Sequence, residues 1–131
     1  MNPKNAAAAY KQDTFENAPP LKIVRMLYAG AIRFLDRAVG CDAADTSSRF
    51  AYWVGRADAI VCELRIALKE PTGGDEALKQ NLDELYRFVE ERLCTAMTEH
   101  SEEPVAEARS VLATLLEAWD QLQVNQVSTQ P

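Results

Sequence analysis

The residue types able to do acid–base, metal or nucleophilic chemistry are sparse in this chain. It has one histidine, His100, and three cysteines, Cys41, Cys62 and Cys94. A di-metal carboxylate site in a helical protein needs Glu-x-x-His motifs on two helices, and the residue three before His100 is Met97. Zinc needs cysteine and histidine clustered at short spacing, whereas these cysteines form no close pair. A cysteine nucleophile would need His100 beside it in space, and Cys62 and Cys94 both fall in mid-helix patterns. Gly73-Gly74 follows no strand and precedes no Lys-Ser or Lys-Thr, so it is not a phosphate loop. Glu90, Glu91, Glu102 and Glu103 read as solvated faces. The expectation is a protein that is not an enzyme and holds no metal or cofactor, which leaves binding.

Composition narrows what is bound. The 131 residues make one domain, 47% apolar and 26% charged, the proportions of an ordinary globule. A net charge of −6 argues against nucleic acid, whose binders rely on Lys and Arg against phosphate. No apolar run reaches the ~20 residues of a membrane span, so no membrane insertion is expected. The start, MNPKNAAAAYKQ, lacks the apolar core of a signal peptide. The expected location is therefore cytoplasmic, with the three cysteines reduced.

Every long periodic segment has the helical period, so the class is all-α. Residues 1–18 are a mobile N-terminal segment carrying Tyr10 and Phe15. Pro19 and Pro20 open a helix over 19–40, ended by Gly40. Its core stripe is Ile23, Val24, Leu27, Ala31, Phe34, Leu35 and Ala38. Leu21, Tyr28, Ile32 and Val39 widen the apolar arc to roughly 180°. Met26 stands on the polar side among Lys22, Arg33 and Arg37, a basic face. A second helix spans 46–70, capped by Asp45, Thr46 or Ser47 and ended by Pro71-Thr72-Gly73-Gly74. The third spans 75–99 behind Asp75. The fourth spans 102–123, with Ser101 as cap, and 124–131 form a frayed tail. Short loops make the helices antiparallel neighbours. The expected architecture is an antiparallel up-down four-helix bundle with a short N-terminal helical or extended segment.

The second helix carries two apolar faces. Phe50, Trp53, Val54, Ala57, Val61, Leu64 and Leu68 form one stripe. Tyr52, Gly55, Ala59, Cys62 and Ile66 form another on the opposite side. A surface helix needs only one such stripe. Either the chain covers the helix on both sides, or the second face, a shallow trough with small residues at its middle, docks a partner's helix.

With the helices placed, the sequence resembles the flagellin export chaperones of the FliS family. Tyr10, Pro20 and the run Met26-Leu27-Tyr28-Ala29-Gly30-Ala31-Ile32 match its first motif. Gln80-Asn81-Leu82-Asp83-Glu84-Leu85-Tyr86 with Arg92-Leu93 match the second, and Ala118-Trp119 the third. The motifs span about residues 10–122 in order. Two positions depart: Ala29 stands where the family usually has an acid, and Pro19 where it often has a capping Ser or Thr.

The resemblance implies a helical bundle that wraps the disordered C-terminal segment of flagellin around itself, prevents premature polymerisation and presents the cargo to the flagellar type III export gate. It also implies that the segment around Tyr10 covers part of the binding surface when cargo is absent. On this reading the cargo lies on Tyr52, Gly55, Ala59, Cys62 and Ile66, and on the flank Leu21, Tyr28 and Ile32; Tyr28 and Ile32 fit the bundle core equally well. The competing reading is a helical adaptor with another client, or a self-associating module that is a homodimer when free.

Overall fold

The computed structural model describes residues 21–69 and 76–129, with side chains described for 22–69 and 76–121. Four helices account for nearly all of these: α1 Leu21–Val39, α2 Phe50–Ala67, α3 Glu76–Glu99 and α4 Glu103–Thr129. The N-terminal segment with Tyr10, both prolines before α1 and the cap Asp75 lie outside the described residues.

Each helix buries one stripe. Val24, Tyr28, Ala31, Leu35 and Ala38 of α1 meet Val54, Ala57, Val61 and Leu64 of α2 in a single core. Leu82, Tyr86, Val89 and Leu93 of α3 and Val105, Leu112, Leu115 and Trp119 of α4 complete it. Packing follows chain order, α1 on α2, α2 on α3, α3 on α4, and α4 back on α1. Arg25 pairs with Asp120, and Arg109 with Asp36. Rising numbers on α1 thus meet falling numbers on α4, as antiparallel neighbours require. Phe34 stacks on Trp53 with ring centroids 5.7 Å apart, and a Cβ on Gly30 would sit 3.6 Å from Ile60 Cδ1, so α1 and α2 are antiparallel as well. The all-α four-helix bundle expected from the periodicity is the observed fold.

The helix ends differ from expectation in three places. Asp45 does not cap α2, because its Oδ1 accepts from the Ser47 N–H and the Ser47 hydroxyl within the loop. That helix starts at Phe50, whose N–H donates to Ser48 Oγ at 3.3 Å, and its cap position, Arg49, makes no side-chain cap bond. Ser101 closes α3: its N–H donates to the Ala96 carbonyl at 3.1 Å. His100 just before it has φ 52°. This is the left-handed residue that follows a helix C-terminus, a place usually taken by glycine. Finally, α4 continues to Thr129. No proline or glycine interrupts Val124–Thr129, so nothing forces the helix to stop at 123.

Candidate partner-binding surface

At 100° per residue, the burial of Phe50, Val54, Ala57, Val61 and Leu64 turns the other face of α2 away from the core. Tyr52 is 43% and Ile66 53% exposed; Ala59 is exposed and Gly55 and Cys62 partly so. A Cβ built on Gly55 would meet nothing within 4 Å. The neighbours α1 and α3 pack on the flanks of α2, and no described helix lies over its back. The five residues read as a trough thus share one apolar face that is exposed or partly exposed among the described residues.

The trough has two unlike borders. Toward α3, Arg65 donates from Nε to Glu90 Oε1 at 2.6 Å, and this hydrogen bond holds the guanidinium further into its charged form. Asp58 stands beside them. Burial raises its carboxyl above the ordinary range, the Glu90 charge adds to the rise, and Arg65 offsets part of it. Toward α1 the border is aromatic and cationic. The Arg49 guanidinium lies 4.2 Å from the Tyr52 ring centroid and 5.4 Å from that of Trp53. Arg37 lies 4.9 Å over Trp53, and Arg56 4.9 Å over Phe34. The Arg56 Nη1 also donates to the Tyr52 hydroxyl at 3.0 Å. All these guanidiniums are within the ~6 Å at which a cation is drawn to a ring face.

Two residues expected on the flank belong to the core. Tyr28 is fully buried, its hydroxyl against that of Tyr86, and Ile32 is buried. The wide arc of α1 is used up by two neighbours, α2 on one edge and α4 on the other, so it leaves no free flank there. Ile23, placed in the core stripe by its spacing, is instead 46% exposed, and Met26 is 62% exposed. The side chain of Leu21 and all of Tyr10 lie outside the described residues. The arginine–aromatic border was not anticipated. Its only sequence signal is Arg49, Tyr52 and Arg56 at i, i+3 and i+7, one face of a helix.

The described residues offer contact chemistry. Among them no group of three His, Cys, Asp or Glu side chains could hold a metal ion. Cys41, Cys62 and Cys94 are free thiols. No described helix is long and apolar enough to cross a membrane. A cleft of about 520 Å³ opens between the end of α2 and the start of α3, lined by Lys69, Lys79, Arg87, Glu76 and Asp83 among others. Its mixed charges give it no part in an apolar docking site.

The residues that carry the family motifs converge inside this bundle. Tyr28 of the first motif lies with its ring centroid 6.3 Å from that of Tyr86 of the second and 6.3 Å from that of Trp119 of the third. The family model described as flagellar protein FliS matches residues 3–126. A flagellar secretion chaperone FliS of Campylobacter jejuni is 33% identical over 93% of this chain and 94% of its own length. The flagellar secretion chaperone FliS of Vibrio cholerae is 29% identical over 91% of this chain and 89% of its own. The flagellar secretion chaperone FliSB of Pseudomonas aeruginosa is 28% identical over 92% and 97%.

Proposed function

This chain belongs to the flagellar protein FliS family, and on that premise we propose that it is a cytoplasmic export chaperone for flagellin, acting by binding alone. Its client is the disordered C-terminal segment of flagellin, which it keeps from polymerising and hands to the flagellar type III export gate. The observation that carries this reading is the apolar back of α2, which no other described residue covers. A client helix laid along it places apolar side chains against Tyr52 and Ile66, while Gly55 and Ala59 let its backbone approach closely. Cys62 completes the floor.

Folding of a disordered client on contact costs about 2–5 kcal/mol of the gross interaction energy. That cost keeps the complex reversible, as a handover to the export apparatus requires. In this proposal Tyr10 covers part of the surface when cargo is absent, and Leu21 is an edge contact. Tyr28 and Ile32 are assigned to the scaffold.

Mass in solution tests this reading, measured with and without a peptide from the flagellin C-terminus. A one-to-one complex supports it. A dimer whose mass ignores the peptide would replace it with self-association through the same face.

A further inference from the structure

The arginines of this chain are divided in an uneven way. Arg25, Arg65, Arg87, Arg92 and Arg109 each pair with a carboxylate. Arg33, Arg37, Arg49 and Arg56 pair with none among the described residues, and all four are exposed. They lie together on the outer side of the α1–α2 pair, the Arg33 guanidinium turned toward Gly30 and the other three stacked on Phe34, Tyr52 and Trp53. Two neighbouring acids are engaged elsewhere, Asp36 with Arg109 of α4 and Asp45 with Ser47, while Glu63 stands exposed further along α2. A chain of net charge −6 thus keeps a cluster of arginines that makes no ion pair among the described residues.

Stacking prepares that face for a ligand. A guanidinium lying on a ring has one face covered, and its planar N–H fork remains available at the edge. Arg37 and Arg49 make no hydrogen bond through that fork among the described residues, and the rings limit the rotamer freedom that binding would otherwise cost. Between the forks lie half-buried Trp53 and exposed Tyr52, so the matching ligand has carboxylates separated by an apolar contact. An α-helix with acids at i and i+4 around an aliphatic residue has that pattern. Long polyanions match less well, because a face of four arginines is opposed by the negative charge of the whole protein.

We infer that this arginine–aromatic face docks an acidic helix of a partner protein beside the trough, with Tyr52 at the border of the two, and the inference does not rest on the flagellin reading. The test titrates Trp fluorescence of the full chain with a synthetic helical peptide, acetyl-AELLAELLKEALAELLAE-amide. Parallel arms use a single-stranded oligonucleotide, anionic phosphatidylserine vesicles, and the chain at rising concentration. The expected result is saturable peptide binding that weakens with salt and falls at least tenfold in both Arg49→Ala and Arg37→Gln. Ala59→Trp, which alters the trough, leaves it within twofold, and unchanged far-UV circular dichroism verifies each fold. Peptide binding that is absent, or equal in wild type and both arginine variants, overturns the proposal. Tighter binding of the oligonucleotide or vesicles, or self-association abolished by Arg49→Ala, also overturns it in favour of that other occupant.

Discussion

Tyr28 on α1 and Tyr86 on α3 meet hydroxyl to hydroxyl at 2.5 Å across the diagonal of the bundle. Both rings are buried, and Trp119 of α4 stands against Tyr28. Helices that share few other contacts are joined there by a polar link inside an apolar core, which fixes their relative height.

The two hydroxyls should therefore be energetically coupled. Tyr28→Phe and Tyr86→Phe are each expected to cost about 1 kcal/mol. The double variant should cost less than the sum by about 0.5 kcal/mol or more. Urea unfolding of the four proteins completes the cycle, and strict additivity would show that the contact contributes nothing of its own.

Gly55 separates stability from binding. Glycine inside a helix costs roughly 0.5–1 kcal/mol relative to alanine, and a methyl group there meets nothing within 4 Å. Gly55→Ala should raise stability by about that amount while weakening flagellin peptide binding several-fold, because the trough becomes shallower. Thermal melts and a binding titration on one preparation check both halves. A variant that gains stability with unchanged affinity would mean that the client does not approach Gly55.

Asp58 gives a pH dependence with a definite sign. Its folded carboxyl is held above the ordinary carboxylate range, chiefly by burial. The folded state therefore holds that proton more tightly than the unfolded chain. Its contribution is full below the unfolded pKa and is lost as pH rises through the folded one. Asp58→Asn removes this titration. The variant's advantage should open above about pH 4, near the unfolded Asp value, and reach roughly 0.5 kcal/mol at neutral pH, the scale of a partly exposed substitution. Denaturant unfolding from pH 4 to 7 measures it. A variant that is less stable at pH 7 would mean that the attraction of Arg65 for the Asp58 carboxylate outweighs the cost of its burial.

His100 occupies a backbone position at φ 52°, where a side chain crowds the carbonyl and costs about 1 kcal/mol. His100→Gly should recover a comparable amount, read as a higher melting temperature. A drop would reveal a contact made by the imidazole.

The helices and the two faces of α2 could be read from the sequence because periodicity alone determines which residues share a side. Tyr52, Gly55, Ala59, Cys62 and Ile66 follow from spacing. Whether anything covers them is a tertiary fact, as is the fate of Tyr28 and Ile32 at the edges of a broad arc. Their side chains suit core and surface equally, and only the docking of α4 against α1 decides for the core. The cap of α2 was missed because the Asp45 carboxylate has two possible clients, the helix N-terminus and the Ser47 N–H, and it takes the nearer. The arginine–aromatic face was invisible for another reason. Phe34 and Trp53 each read as core and Arg37 as part of a basic face, and only the antiparallel pairing of α1 with α2 brings them together with Arg56.

In this proposal a flagellin segment folds as it binds to the back of α2, which no other described residue covers. Calorimetric titration of the flagellin C-terminal peptide into the wild type and Ala59→Trp, at several temperatures, tests it most directly. The expected result is one-to-one binding with a large negative heat-capacity change and at least tenfold weaker binding by Ala59→Trp, with helix content unchanged in that variant. Equal affinity of the two proteins, or no binding by the wild type at high micromolar peptide, would contradict it.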